Sequence, residues 1–182
     1  MTNEAAVCCR MFEQLEGERI ELFQELGEWP AGRLMFRPAE GAWSAVEVLD
    51  HVVGSEAGTI ADVRAGLRNP QELSEEERPG IAALERALRS ERSFKVPAGG
   101  VHPDGQRSLS EVGRRWEEVR SELRSVVEGL TLEEAARGVF CHPFAGWMTV
   151  GEVLKHFSDH LYHHQIQLAR IRVSWAERME EG

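Results

Sequence analysis

Between Thr149 and Trp175 one apolar position follows another at alternating spacings of four and three: Val150, Leu154, Phe157, Leu161, His164, Leu168, Ile171, Trp175. Only an α-helix lines such positions up on one side, so this stretch predicts a long helix with a continuous seam. Thr149 and Glu152 have the spacing of a capping box, which sets its start. One seam position is a histidine. His160 stands one turn earlier, and side chains four apart on a helix are close neighbours, so both imidazoles can reach one point. Of the chain's 7 histidines, His156, His160, His163 and His164 all fall here.

Three further seams predict three more long helices. Residues 4–27 carry Cys9, Phe12, Glu16, Ile20 and Phe23, widened by Leu15, Leu22 and Leu26, and end at Gly27 and Pro30. Ser44 with Glu47 caps a second helix along Val46, Leu49, Val53, Glu56, Ile60, Val63 and Leu67, stopped by Asn69-Pro70. A third follows a cap at Ser108 or Ser110, along Leu109, Val112, Trp116, Val119, Leu123, Val126 and Leu130. A short helix is predicted over 79–92 and a brief helical turn over 131–136. Pro97, Gly99, Gly100, Pro103 and Gly105 mark one loop, and 138–146 another.

Four amphipathic helices and no alternating strand pattern predict an all-α chain. The fold expected is a four-helix bundle with a long crossover connection between the second and third helices, forming one domain over 1–182. There is also a short echo: Trp43-Ser44 leading to His51 parallels Thr149 leading to His156, each histidine seven residues after its cap.

The charge excludes some functions. With 21 basic against 31 acidic residues the net charge is −10, which argues against binding nucleic-acid backbones. No apolar run approaches the roughly 20 residues of a membrane helix, and Glu4 with no apolar stretch beside it predicts no export leader. The three cysteines, Cys8, Cys9 and Cys141, form no CxxC pair and no disulfide framework, so a cytoplasmic setting is expected.

His160 and His164 have the spacing of a helical metal clamp, and neutral imidazole suits zinc, nickel, copper or iron. A third ligand must come from elsewhere. His51 is the first candidate because it lies on another long helix, although it falls away from that helix's seam. His156 and His163 are the alternatives. Leu161 follows His160, so the His-Glu-x-x-His motif of zinc proteases is missing. His102 and His142 are expected at the surface, and Trp43, Trp116, Trp147 and Trp175 in core or loop packing. Glu56 is a carboxylate at a seam position one turn beyond His51. It is the catalytic candidate, to orient a ligand histidine or accept a proton. The competing reading is a carboxylate bonded to an Arg or a Trp N–H inside the bundle.

Trp43-Ser44 leading to His51 and Glu56, followed by a late helix with His160-x-x-x-His164 and Gln167, resembles the DinB-like metal-binding bundle family. That resemblance implies a four-helix bundle, often a homodimer, holding a divalent transition metal on His51, His160 and His164. Zinc or nickel is the first expectation, with iron or manganese next. It implies a small-molecule substrate, including low-molecular-weight thiols, and thiol S-transferase or hydrolase activity. The alternative is a non-catalytic metal-binding or stress-response protein. Where relatives often have His-Arg-Gly-Gln, this chain has His164-Gln165-Ile166-Gln167. The apolar stripe of the first helix also points to a homodimer.

Overall fold

Four capping boxes punctuate the chain, and each starts a helix where its sequence predicts one. In Ser44/Glu47, Ser108/Glu111, Thr131/Glu134 and Thr149/Glu152 the hydroxyl accepts from the N3 amide and the glutamate reaches back to the cap amide. Orphan N–H groups at these four helix starts are thereby satisfied. The computed structural model describes residues 3–74, 78–90, 92 and 100–181. Of the predicted loop and short-helix residues, Glu91, Pro97 and Gly99 lie outside them.

The long helices are α1 (Asn3–Gly27), α3 (Ala45–Gly66), α5 (Leu109–Glu128) and α7 (Val150–Glu180). Shorter ones are α2 (Ala31–Leu34), α4 (Arg78–Leu88) and α6 (Leu132–Ala135). No helix of the described residues is long and apolar enough to cross a membrane.

Cross-helix contacts fix the directions. Asp50 meets Arg115, Glu56 meets Arg120 and Arg64 meets Glu122, so α3 and α5 run parallel. Glu18 meets Ser158 and Glu25 meets Arg172, so α1 and α7 also run parallel. Glu13 pairs with Arg124 while Phe23 packs on Trp116, so α1 and α5 are antiparallel. Both α1 and α3 pack on α5 and α7. The expected crossover is therefore present: α3 and α5 are consecutive long helices and parallel neighbours, so one ends and the next begins at opposite ends of the bundle.

Two details differ from expectation. The loop at 138–146 contains an antiparallel hairpin, β1 (Phe140–His142) with β2 (Gly146–Met148), pairing Phe140 with Met148 and Cys141 with Trp147. Strands of three residues are too short for an alternating pattern to register in sequence. Its turn is possible because Gly146 adopts φ +78°. On α1 the buried stripe runs through Cys8, Phe12, Leu15, Leu22 and Leu26, while Cys9 and Ile20 are exposed. The true stripe is rotated from the predicted one, and it faces α5 and α7.

The core lies between the four long helices, with Leu49, Ile60, Trp116, Leu123, Phe157 and Ile171 almost fully buried. Each such side chain contributes about 1.5–3 kcal/mol of burial. α4 lays Ile81, Leu84 and Leu88 toward α7. Ion pairs from Arg78 to Glu152, Arg89 to Asp159 and Glu85 to Lys155 hold it there.

Candidate metal centre

His51 sits near the start of α3, where every residue from Ala45 to Gly54 is buried. A helix covered on all sides has no single inward face, which removes the difficulty raised by His51's position on the helical wheel. α7 runs antiparallel past this segment and presents His160 and His164. The ring centroids of His51 and His164 are 4.9 Å apart, those of His51 and His160 5.4 Å, and those of His160 and His164 4.5 Å. Each residue offers one nitrogen, and the three nitrogens lie within 4.8 Å of one another. Among the described residues no other group of three His, Cys, Asp or Glu converges in this way.

Hydrogen bonds decide which nitrogens face inward. His51 Nδ1 lies 2.7 Å from the carbonyl oxygen of Val101. A carbonyl only accepts, so Nδ1 carries the proton and donates. His164 Nδ1 likewise donates to Gln167 Oε1 at 2.9 Å. In a neutral imidazole with Nδ1 protonated, Nε2 keeps its lone pair. The Nε2 atoms of His160 and His164 are 3.0 Å apart, a separation that a shared proton or a shared cation each satisfies.

Burial keeps the rings neutral. It lowers the pKa of His51, opposed by the bond to Val101. Burial and then the neighbouring imidazoles hold His160 well below the ordinary histidine value. Burial, followed by repulsion from His51, takes His164 down to about 3. At neutral pH all three are uncharged, the form in which histidine binds a metal. His51 and His164 are buried and His160 is partly buried. Three neutral imidazoles, two of them fixed through Nδ1 to oxygen acceptors, fit a borderline divalent cation and leave positions for other ligands.

The remaining predicted residues fall elsewhere. His156 stacks on His160 at 5.9 Å and 14°, but its other neighbour is His142 at 5.2 Å. Burial and then His142 lower its pKa to about 4. His142 is thus partly buried in the hairpin rather than at the surface, its Nδ1 accepting from the Phe144 amide at 3.2 Å. His163 bonds the backbone of Leu88. His102 is exposed, edge-on to Trp43 at 6.3 Å, and Trp43 covers His51 at 4.9 Å.

Glu56 is almost fully buried. Trp116 Nε1 donates to its Oε2 at 2.8 Å, Arg120 Nε to the same oxygen at 2.9 Å, and Arg120 Nη2 to Oε1 at 2.7 Å. Glu56 is thus bonded to an Arg and a Trp N–H inside the bundle.

Sequence reasoning passed over Asp50, Val101, Arg107 and Arg115. Val101 acts through its backbone, which no residue type betrays. Asp50 had a signal, since a carboxylate in a fully buried stretch requires partners.

The family model described as the DinB superfamily matches residues 14–168. Comparison with the curated proteins gives no match. Among solved structures the chain is similar to YfiT from Bacillus subtilis, described as "a probable metal-dependent hydrolase with an unusual four-helix bundle topology". The TM-score is 0.64 at 18% identity, covering 95% of this chain and 87% of that one.

Proposed function

This chain belongs to the DinB superfamily, and from that membership and its converging histidines we propose that it is a divalent-metal-dependent enzyme of hydrolase type acting on a small molecule. The observation that carries the reading is the convergence of His51, His160 and His164 within 4.8 Å. The description of YfiT as a probable metal-dependent hydrolase supports the reaction class. His51, His160 and His164 would hold the metal, with zinc or nickel preferred for an all-imidazole set. A divalent metal supplies Lewis acidity and lowers the pKa of what it binds.

The chain's own contribution is positioning. Val101 and Gln167 fix the ring orientations of His51 and His164. Trp43 covers His51. Glu56 serves this reading as an internal anchor of α3 rather than as a base, because both its oxygens are engaged by Arg120 and Trp116. The reacting nucleophile is external, and water gives hydrolysis. A low-molecular-weight thiol at the same site would give the S-transfer expected from the sequence. A non-catalytic metal-binding role is the remaining alternative.

We further propose that residues 1–182 form one domain, in a cytoplasmic setting consistent with the free thiols of Cys8, Cys9 and Cys141. The proposed assembly is a homodimer, supported by the exposed Ile20 on α1 and Val173 on α7. A monomeric mass in sedimentation at micromolar concentration refutes the dimer.

The test of function begins with metal content of protein purified without an affinity tag. Hydrolysis of ester and amide panels, and thiol loss against an electrophile, then follow with zinc, nickel, manganese or ferrous iron added. Metal-stimulated hydrolysis absent in His160→Ala supports the proposal. Stimulated thiol loss alone reassigns the chain to S-transfer. Bound metal with neither activity leaves the non-catalytic reading.

A further inference from the structure

A strap formed by residues 100–107 lies across the start of α3. Its Val101 carbonyl accepts a hydrogen bond from His51 Nδ1, 2.7 Å away. A carbonyl can orient a ring only if its own backbone is held, and three features hold it. Asp50, buried beside His51, receives Arg107 Nη1 on both oxygens at 2.9 and 2.8 Å, and the Asp104 amide at 3.4 Å. Arg115 of α5 pairs with the same carboxylate at 3.0 Å, which ties the anchor to the bundle. Gly54 lets the strap close on the helix, since a Cβ there would lie 2.6 Å from Val101 Cγ1.

We propose that Asp50, with Arg107, is a positioning residue of the metal centre, and that it sets the tautomer of His51 through the strap. The Asp50 carboxylate makes its hydrogen bonds to Arg107, Arg115 and the Asp104 amide. It holds the strap, the strap holds the Val101 carbonyl, and the carbonyl keeps the proton on Nδ1 so that Nε2 faces His160 and His164. Gly54 supplies the clearance for the same arrangement. The chain thus uses sequence neighbours for separate tasks, with His51 as ligand and Asp50 as the hold on the segment that orients it.

The inference rests on His51 being a ligand, and its test separates that reading from the strap. Chelator-treated protein with 15N-labelled histidine reports the His51 ring tautomer by two-bond NMR at pH 7.5, without metal. The wild type is expected to show one species protonated at Nδ1. Asp50→Asn and Gly54→Ala are expected to give mixed tautomers. Zinc affinity, by competition with a chromogenic chelator, is expected to fall about 10–100-fold in both, with stoichiometry kept. Arg107→Gln should follow them, and Arg107→Lys, which keeps the charge, should recover part of the loss. Gly54→Ala carries the test should Asp50→Asn fail to fold, because it adds one methyl group and favours the helix. Folded variants with the wild-type tautomer and wild-type affinity overturn the proposal. If the wild type binds no zinc, the ligand reading fails, and the NMR comparison still decides the strap.

Discussion

Glu56 and Arg120 form a bidentate pair across the parallel interface of α3 and α5, with side chains 1% and 2% exposed. Removing one partner of such a pair costs more than the pair itself contributes, because it strands a buried charge. Glu56→Gln is therefore expected to destabilise the fold by roughly 3 kcal/mol, the low end of the range for such losses. Glu16 still lies 3.5 Å from Arg120 and moderates the effect. Denaturant midpoints check this. A fall in activity with an unchanged midpoint would instead restore Glu56 as a base.

Changing a histidine of the trio is expected to act first on metal. His160→Ala and His164→Ala are each expected to lose affinity by more than the roughly 10–100-fold typical of outer partners. His51→Ala should match them. Metal content per chain after gel filtration is the measurement. Full retention in His51→Ala alone would make His156 or His163 the third ligand.

Acid should weaken the chelator-treated protein before carboxylates titrate. Unfolded histidines bind a proton below about pH 6.5. Folded His156, lowered to about 4 by burial and then by His142, does not, and folded His164, at about 3, does not either. The unfolded state then carries more protons, so stability falls as pH drops from 6.5. Each group contributes up to about 1.4 kcal/mol per pH unit. Urea midpoints between pH 7 and 5 should show the slope, and His156→Leu should reduce it. A flat profile contradicts the burial of these rings.

Gly66→Ala tests how the hairpin segment seats on α3. An added Cβ would fall 1.8 Å from the Val139 carbonyl oxygen. Alanine favours a helix over glycine by about 1 kcal/mol, but overpacking costs about 1–3 kcal/mol and here meets backbone. Net destabilisation is expected, read as a lower melting temperature. A neutral or stabilised variant would show that the backbone at Val139 yields easily.

The parts of this molecule legible in the sequence are those written in side-chain type at short range. The boxes at Ser44 and Thr149 gave two helix starts, Ser108 was one of two caps offered for a third, and the His160/His164 spacing gave two thirds of the candidate site. What escaped was written in backbone or in tertiary covering. The wheel argument against His51 assumed one inward face, and the covering of α3 by the strap and two helices removes that assumption. The echo between His51 and His156 misleads for the same reason: equal distance from a cap placed one in the trio and the other beside His142. The hairpin that carries His142 was too short to announce itself.

The pairing of long helices has a consequence for folding order. α1 and α3 each pack on α5 and α7. No two long helices joined by a short link form a hairpin of their own, so no helical hairpin is available to assemble first and wait for the rest. Contacts distant along the chain must form together, which slows folding relative to up-and-down bundles. Cut within the crossover, the chain would yield two fragments with their packing faces unpartnered. One carries His51 and the other carries His160 and His164, so the histidine trio exists only once the fragments recombine.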